Sequence, residues 1–282
     1  MRLNHCRFRR GADRFKRAPA IIGKRLNLLL PPLLGIALLA LWQGLVRADN
    51  IPSYVLPAPS DIALALADSF SSLMASLLAT FIVTLEAFLA ALGAGVALAI
   101  LFSQSRLVER LLYPYAVILQ VTPVVAIAPL ILIWVGFDHI NTALVLIAGL
   151  VAFFPILSNT TLGLKSADFN LLDLMRLHGA SRAQILWRLQ LPTALPYLLG
   201  AMKIAGGLAL IGAVVAEFVA GSGTATGLAW RIVEAGNRLQ IATMFAALAL
   251  LALLGIAIFA ALSGLEYLLL RRWHESALKR QL

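Results

Sequence analysis

The amino-acid sequence predicts an all-α integral membrane protein. Hydrophobic residues make up 61% of the 282 residues, charged residues only 13%, and the mean hydropathy is +0.91. Soluble domains average about 45–50% apolar and about 25% charged residues, so this chain has more apolar surface than a water-soluble fold can bury. Its apolar stretches lack the polar–apolar alternation of membrane β-strands. A soluble enzyme, a disordered protein and a disulfide-bonded secreted domain are excluded, the last also because Cys6 is the single cysteine.

Six stretches are long and apolar enough to cross a bilayer as helices, which takes about 20 residues each. They are Leu28–Val46, Leu77–Phe102, Leu112–Gly136, Thr142–Leu164, Pro196–Val219 and Ile241–Leu270. The predicted organisation is a basic tail over 1–27, the first span over 28–46, an outer loop over 47–76, a five-helix core over 77–270 and a tail over 271–282. Within the core, residues 165–195 form a long loop between the fourth and fifth spans.

The basic residues predict the orientation of the spans. If the amino terminus lies in the cytoplasm, 19 of the 23 Lys and Arg residues fall on the cytoplasmic side and three fall outside. Both termini are therefore predicted to be cytoplasmic. The tail over 1–27 holds nine of these basic residues and is interpreted as a topology anchor against anionic lipid. A cleaved signal peptide ending near Val46 and Ala48 is the alternative interpretation of the first span.

Prolines and a possible cap predict local features of the spans and of the outer loop. Pro123 and Pro129 interrupt the third span and Pro155 the fourth, so a kink or a break is expected there. In the outer loop, a short amphipathic helix is expected over 61–69, with Ser60 as its cap.

Ionisable residues inside spans are candidates for function, because a charge in lipid costs several kcal/mol. Glu86, Lys203 and Glu217 are such residues, and the last two are 14 residues apart, which is about 21 Å along a helix and too far for a pair. Lys203 can instead extend to the cytoplasmic surface, and the two glutamates can be interfacial or structural. Thr122 and Asn159 can line a pathway or satisfy backbone groups freed by the neighbouring prolines.

The loop between the fourth and fifth spans is predicted to be two short helices joined by a tight turn. Asn170 can cap the first helix, which is expected to end at Gly179 in a left-handed conformation. Ser181 then caps the second helix, and Gln184 completes a capping box three residues later. Pro192 is expected to end that helix. A connection of this length is longer than the usual helix–helix loop and is therefore predicted to have a role beyond connection.

The run from Met175 to Arg182, followed by Leu191 to Pro196, resembles the "EAA" loop of permease subunits of binding-protein-dependent type I ABC importers. In that family the loop is a coupling helix that sits in a cleft of the ATPase subunit. Leu174, Met175 and Arg176 stand where the family has Glu-Ala-Ala. The resemblance implies that contact with the ATPase involves Asp173, His178, Gly179, Ala180, Ser181, Arg182, Leu191 and Pro192.

Further motifs resemble the branch of this family that handles sulfonates, taurine, nitrate and thiamine-precursor pyrimidines. They are Leu56–Pro59, Pro123–Leu130, Trp134–Gly136, Phe154–Thr160 and Val215–Phe218. The glycine-rich stretch over 221–227 is a variant of the one that usually follows in the branch. The candidates for the translocation pathway are Glu86, Thr122, Pro123, Asn159 and Glu217.

The resemblance implies a subunit that forms half of a translocation pathway for a small polar or anionic solute. Its expected partners are a second copy of the chain, an ATP-binding cassette ATPase and a periplasmic or lipid-anchored solute-binding protein, all at a bacterial inner membrane. The sequence holds no Gly-x-x-x-x-Gly-Lys-Ser/Thr phosphate loop, so the chain is not expected to be an enzyme, and ATP is used by the partner. No bound cofactor, metal or nucleic acid is expected, since the four histidines lack ligand spacing.

Two alternatives of other classes remain open from the residues alone. An ion-gradient-driven secondary transporter would need charged or unwound elements in matched halves near the middle of the membrane, and the sequence shows no clear internal repeat. A membrane scaffold without transport activity would have no need of a capped docking loop. The co-purification of an ATPase subunit distinguishes both from an importer subunit.

Overall fold

The computed structural model describes residues 20–221 and 226–271, and every regular element within them is helical. The helices are α1 (Ala20–Ala48), α2 (Pro59–Asp68), α3 (Phe70–Gln104), α4 (Arg106–Val121), α5 (Val124–Val135), α6 (Ile140–Lys165), α7 (Phe169–Leu177), α8 (Arg182–Ile185), α9 (Leu191–Ala220), α10 (Leu228–Asn237) and α11 (Ile241–Leu270). The all-α prediction is confirmed for this part of the chain. Most of both predicted tails and most of the glycine-rich stretch lie outside the described residues.

Five helical stretches in the described residues are long and apolar enough to cross a bilayer. They are α1, α3, α6, α11 and the continuous helix of 39 residues from Arg182 to Ala220, which includes α9. Helices α4 and α5 form a sixth span if the two count as one, although their axes differ in direction by 104°. The prediction of six spans corresponds to these elements, with one of them sharply bent.

The bend in the third span is explained by Thr122 and Pro123. Thr122 ends α4 in an extended conformation, with ψ at 126°, because the ring of a following proline disfavours the helical conformation. The predicted interruption is confirmed at this place. A break at Pro129 or Pro155 is contradicted, since α5 and α6 run through these residues, and the kink that was the other expectation stays a prediction. A proline removes only one helical hydrogen bond, and α6 is held along its length between α3 and α9.

The centre of the bundle is formed by α3, α6 and α9, which approach one another through small residues. A Cβ atom built on Gly212 of α9 would lie 2.7 Å from the Cα atom of Ala148 in α6. A Cβ atom on Gly163 of α6 would lie 2.9 Å from the Cα atom of Ala194. In a bilayer the surrounding lipid is as apolar as the side chains, so the hydrophobic effect does not drive helices together. Small residues let the backbones approach closely, and the resulting packing contacts stabilise the association. The core of the protein therefore consists of three closely packed membrane helices.

Helix α1 lies at the edge of the bundle, and its apolar side chains are largely exposed within the chain. It contacts the rest of the protein through its last turns, where Trp42 packs against Phe245 of α11 with ring centroids 5.9 Å apart. Helix α2 follows it and packs against α3 and α11 through Ile62 and Leu66. The first span is thus joined to the core mainly at one end.

The short helix of the outer loop is present, but Ser60 does not cap it. Helix α2 begins at Pro59 with Ala58 before it, so Ser60 lies in its first turn. Proline is favoured at the first helical position because its φ angle is already helical and its missing N–H has no partner there in any case. The Ser60 hydroxyl instead accepts hydrogen bonds from Gln43 and Arg47 of α1, both at 3.1 Å. The side chain therefore links two helices rather than ending one.

Candidate functional site

The segment over 169–190, which contains α7 and α8, begins with a cap two residues earlier than predicted. The carboxylate of Asp168 accepts a hydrogen bond from the backbone N–H of Asn170 at 2.8 Å, so Asp168 is the cap and Asn170 lies inside α7. Both residue types are good caps, and only the backbone path decides between neighbours. Asp173 consequently lies in the second turn of α7, where it pairs with Arg176 at 3.1 Å on the exposed surface.

The turn after α7 depends on Gly179. Its φ angle is +72°, the left-handed region in which glycine carries no penalty. The N–H of Ala180 bonds to the carbonyl of Met175 at 3.0 Å, and the N–H of Gly179 bonds to that of Arg176 at 2.9 Å. These two bonds are those of a Schellman motif, which closes the end of a helix. The prediction that α7 ends at a left-handed Gly179 is confirmed.

The start of α8 is fixed by the predicted capping box. The backbone N–H of Gln184 donates to the Ser181 hydroxyl at 3.3 Å, and the backbone N–H of Ser181 donates to the Gln184 side chain at 2.8 Å. Arg182 is the first residue of the helix. The prediction of Ser181 as a cap with Gln184 as its partner is confirmed. This cap sets the direction in which the chain re-enters the bundle.

The expectation that Pro192 ends this helix is wrong. Residues Leu186–Gln190 form a turn of π-helix, in which the N–H of Leu191 donates to the carbonyl of Leu186, five residues back. The chain then continues into α9 without a break. Pro192 has no N–H to donate to the carbonyl of Arg188, and the wider π turn immediately before it accommodates this loss. Helix α8 and the fifth span are therefore one helical element.

The surface of this segment carries large apolar side chains that the chain itself leaves uncovered. Phe169 is 77% exposed, Leu177 85% and Trp187 71%. A cavity of about 460 Å³ lies beside the turn, lined by Leu174, Met175, His178, Gly179, Ala180, Gln184 and Arg188. A central turn fixed by local hydrogen bonds and an exposed apolar surface together are the features of a docking site for another protein.

A buried carboxylate lies at the opposite end of α9. Glu217 is 1% exposed and accepts a hydrogen bond from the Thr80 hydroxyl of α3 at 2.7 Å. Its other oxygen accepts the backbone N–H of Ala229, in the first turn of α10, at 3.0 Å. The Thr80 hydroxyl also accepts the N–H of Leu228 at 2.9 Å. This carboxylate cluster (Thr80, Glu217, Leu228 and Ala229) joins α3 and α9 to the start of α10.

Two neighbours of the carboxylate cluster complete the attachment of α10. Gly227 precedes the helix, and a Cβ atom built on it would lie 2.0 Å from an Oε atom of Glu217. Its φ angle of −77° is open to any residue, so the carboxylate alone requires glycine here. One turn into α10, Arg231 donates from Nε to the Ser76 hydroxyl of α3 at 3.1 Å and pairs with Glu234 at 2.7 Å. Glu217 is therefore the central contact of a wider polar junction.

Of the predicted pathway residues, the structure brings Glu86 and Glu217 to one place. Both line a cavity of about 200 Å³ together with Asn141 and Thr226. Thr122 and Pro123 lie at the bend between α4 and α5, where the Thr122 hydroxyl donates to the carbonyl of its own helix at Ile118, at 2.7 Å. The lining of this cavity does not include Thr122, Pro123 or Asn159.

The side chain of Asn159 donates to the carbonyl of Pro155 at 2.8 Å, within α6. The carbonyl that Pro155 leaves free is that of Val151, four residues earlier, so this bond is a local one within the helix and does not decide between the two interpretations of Asn159. Within residues 20–221 and 226–271, no group of three or more His, Cys, Asp or Glu side chains is placed to hold a metal ion.

Lys203 of α9 forms an ion pair that the sequence did not indicate. Its Nζ atom lies 2.5 Å from an Oε atom of Glu266 in α11, and both side chains are largely buried. The interpretation of Lys203 as a residue that extends alone to the surface is therefore corrected. Pairing satisfies both charges where α9 and α11 meet, and a single charge there would lack a partner in lipid.

Residues 90–275 match the family described as "Binding-protein-dependent transport system inner membrane component". The chain belongs to this family. It is a membrane permease subunit of an ABC importer, as the resemblance implied. Family membership decides against the secondary transporter and the scaffold.

Curated relatives cover almost the whole permease and include the predicted branch. The riboflavin transport system permease protein RibX of Chloroflexus aurantiacus is 37% identical over 87% of this chain and 90% of its own length. The formylaminopyrimidine transport permease protein ThiX of Halalkalibacterium halodurans is 34% identical over 86% of this chain and 95% of its own. The branch named from the sequence motifs is confirmed by this similarity.

A solved structure supports the fold of the permease independently. The chain resembles a subunit of an amino acid ABC transporter with a TM-score of 0.59, at 18% identity, covering 74% of this chain and 97% of the other. At this identity the likeness shows the fold alone. It confirms the all-α fold of an ABC transporter permease.

Sequence reasoning missed three functional contacts of the permease. Glu266 lies within the last span and is a signal of the same kind as Lys203, so it could have been named as a candidate, although the register that brings the two side chains together follows only from the structure. Ser76 and Thr80 recur one turn apart on an apolar helix, which indicates a polar face. Gly227 carried no signal of its own, because its role depends on a carboxylate ten residues earlier in the chain.

Proposed function

We propose that two copies of this permease form a translocation pathway in a bacterial inner membrane, driven by two ATPase subunits. A six-span bundle with a long bent third span provides one wall of such a pathway. Both termini lie in the cytoplasm in this proposal, which the distribution of Lys and Arg supports. A periplasmic or lipid-anchored binding protein delivers the solute to the opposite side. No cofactor is bound by the chain itself.

The observation that carries this proposal is the α7–α8 segment. The turn at its centre is fixed by the Schellman motif at Gly179 and by the capping box at Ser181, and its apolar surface is open. A rigid segment that exposes Phe169, Leu177 and Trp187 suits a cleft on a partner subunit. The coupling residues implied by the sequence lie in this segment and at the start of α9, from Asp173 to Pro192.

The continuity of α8 with α9 gives the segment a direct mechanical connection to the far end of the span. The helix from Arg182 to Ala220 has 39 residues and is about 58 Å long. A shift of α8 by the ATPase therefore moves α9 as a rigid element, together with Glu217 and the attached α10. This is the rigid-body alternating access expected of such a subunit. In this proposal, Glu86 and Glu217 lie beside the pathway, and Thr122, Pro123 and Asn159 lie on its bent and central helices.

The proposed solute is small and polar, of the sulfonate, taurine, nitrate or thiamine-precursor pyrimidine type. The relatives RibX and ThiX, named for riboflavin and formylaminopyrimidine transport, favour a nitrogen heterocycle among these. The cavity beside Glu86 supports the same choice, because the exposed Glu86 carboxylate would repel an anion and can accept hydrogen bonds from ring and amino N–H groups.

Co-purification tests the proposed assembly. A tagged permease expressed with its ATPase partner is expected to yield a complex of two permeases and two ATPases. The variant Gly179→Asp places a charge in the docking cavity and is expected to reduce ATPase recovery while the variant still inserts in the membrane. Uptake driven by an ion gradient with the purified permease alone would contradict the proposal.

Reconstitution tests the proposed solute. The complex in liposomes, with its binding protein, is expected to hydrolyse ATP faster when a pyrimidine or a flavin is supplied than when nitrate or taurine is supplied. Stimulation by nitrate or taurine alone would contradict the preference for a heterocycle and leave the assembly of the importer unchanged.

A further inference from the structure

A second cavity lies at the same end of the bundle as the α7–α8 segment and includes Phe169 and Arg176 of α7 in its lining. It has a volume of about 660 Å³ and lies between the end of α3, the start of α4, the end of α6 and α7. Four cationic side chains line it, and together with Glu109 they define the basic pocket: Arg106, Arg110, Lys165 and Arg176.

The basic pocket carries an excess of positive charge. Lys165 pairs with Glu109, and Arg176 pairs with Asp173 at 3.1 Å. Arg106 and Arg110 take part in no ion pair within residues 20–221 and 226–271. They lie one turn apart on α4, so both occupy the same face of the helix. Two guanidinium groups are therefore available for an anion.

The floor of the basic pocket is apolar. Phe102 is 1% exposed and Leu164 0%, and the ring of Tyr113 packs against Phe102 with centroids 6.3 Å apart. Basic residues that only fix topology need a position near the membrane surface and no cavity. A concave site with arginines at its rim and an apolar floor is shaped for a ligand that has a charged group and an apolar body.

We propose that the basic pocket binds the phosphate headgroup of an anionic membrane phospholipid, such as phosphatidylglycerol or cardiolipin. Arginine matches phosphate oxygens with paired N–H donors, and basic pockets between spans on the cytoplasmic side suit such headgroups. The pocket lies where α3 and α6 end, and the ends of membrane-spanning helices lie close to the lipid headgroups. Next to it, α4 exposes Leu107, Leu111 and Tyr115 to the surroundings, so acyl chains have an apolar surface to follow.

The geometry also assigns an effect to the bound lipid. The basic pocket is shared by α4, α6 and α7, and Lys165 at its wall is the last residue of α6. A headgroup bound there holds the base of the α7–α8 segment against α4. Anionic lipid is therefore expected to stabilise the permease more than zwitterionic lipid does.

Lipid binding to the full-length chain tests the proposal. The protein is purified in detergent and titrated with cardiolipin, phosphatidylglycerol or phosphatidylcholine, and bound lipid is measured by native mass spectrometry. Arg106→Gln/Arg110→Gln is expected to lower the affinity for the anionic lipids about thirtyfold, since each basic residue near anionic lipid contributes about 1 kcal/mol. Arg110→Gln alone is expected to lower it about fivefold.

Matched variants separate the pocket from general charge effects. Arg47→Gln/Arg238→Gln removes the same charge at the opposite end of the bundle and is expected to bind anionic lipid as the unchanged protein does. Arg106→Lys/Arg110→Lys keeps the charge and is expected to retain most of the binding. Unchanged binding by Arg106→Gln/Arg110→Gln, with the elution volume of the folded protein, would overturn the proposal.

A soluble anion is the other source of a phosphate group, and a separate arm of the experiment addresses it. Inorganic phosphate is titrated at constant ionic strength, and the melting temperature is followed with and without the two arginines. The lipid proposal predicts no shift that depends on these arginines at millimolar phosphate. An arginine-dependent shift with phosphate and none with cardiolipin would show a soluble-anion site and overturn the lipid assignment.

Discussion

The two ends of the long helix from Arg182 to Ala220 are held in opposite ways. At the α8 end, the contacts join residues three apart in the chain, as in the capping box of Ser181 and Gln184, and they lie on an exposed surface. At the other end, Glu217 binds Thr80, which is 137 residues away, in a buried site. The first end is fixed by local geometry and the second by tertiary packing.

This difference indicates which end can yield when the protein moves. The hydrogen bonds of the turn between α7 and α8 are local and exposed, so shifting them costs little, whereas the end of the segment packs against the core through Leu186 and continues into α9. Buried hydrogen bonds to a carboxylate are costly to break, because each group left without a partner loses about 1–3 kcal/mol. Helix α10 is therefore expected to follow α9 rather than to separate from it.

The largest expected effect comes from removing the carboxylate itself. Glu217→Leu leaves the N–H of Ala229 and the hydroxyl of Thr80 without their partner, and we expect the free energy of unfolding to fall by about 2–4 kcal/mol. Reversible unfolding in mixtures of SDS and mild detergent measures this loss. The control is Glu217→Gln, which keeps one acceptor and the volume of the side chain and should lose about half as much. Equal stability of Glu217→Leu and the unchanged protein would show that α10 is held by packing alone.

A smaller loss is expected when the carboxylate is kept but displaced. Gly227→Ala places a methyl group where an Oε atom of Glu217 lies, so we expect a loss of about 1–3 kcal/mol in the same unfolding measurement. Gly236→Ala is the matched control in α10, where the nearest atom to a new Cβ is the sulfur of Met244 at 3.8 Å. That change should be neutral or slightly stabilising, since alanine is the better helix former. If both variants behave alike, the carboxylate is not the constraint at Gly227.

The same contrast explains how much could be predicted from the sequence. The caps at Ser181 and Gly179 depend on neighbours in the chain, and both were predicted from residue types and spacing. The predicted cap of α7, Asn170, is two residues away from the observed cap, Asp168. Both residue types are good caps, so only the path of the backbone decides between them. The helix through Pro192 was missed, since a π turn leaves no pattern in the sequence that distinguishes it from a helix end.

Contacts between distant elements were beyond reach of the same reasoning. Glu217 was a candidate because a charge in a span is unusual, but its partners in α3 and α10 follow from packing. The ion pair of Lys203 and Glu266 likewise joins two spans whose register no single sequence provides. The six spans could be predicted from composition and charge, because the insertion of a helix into lipid depends on the summed hydrophobicity of about 20 residues.

The exposed end can be tested through its backbone. Gly179→Val forces a β-branched residue into the left-handed conformation, at a cost of about 1–2 kcal/mol that is confined to the turn, since no atom lies within 4 Å of a new Cβ. We expect solute-stimulated ATP hydrolysis by the reconstituted complex to fall severalfold, with the global unfolding transition almost unchanged. Gly179→Asn is the control, because asparagine tolerates this conformation and should preserve most of the coupling. A global loss as large as that of Glu217→Leu would show that the turn is not an independent local element.

The smallest effect is expected at the cap of α8. Ser181→Ala removes the acceptor for the N–H of Gln184, which typically costs about 1 kcal/mol of helix stability, and Ser181→Asp should restore the cap. Hydrogen exchange resolves such a change where global unfolding does not, and faster exchange is expected at residues 182–185 alone. If exchange also rises at Leu228 and Ala229, at the opposite end of the helix, the two ends are thermodynamically coupled even without a partner. In that case the stability of the exposed end would depend on the contacts of the buried end. The conclusion that one end is fixed by local contacts and the other by tertiary contacts would then be contradicted.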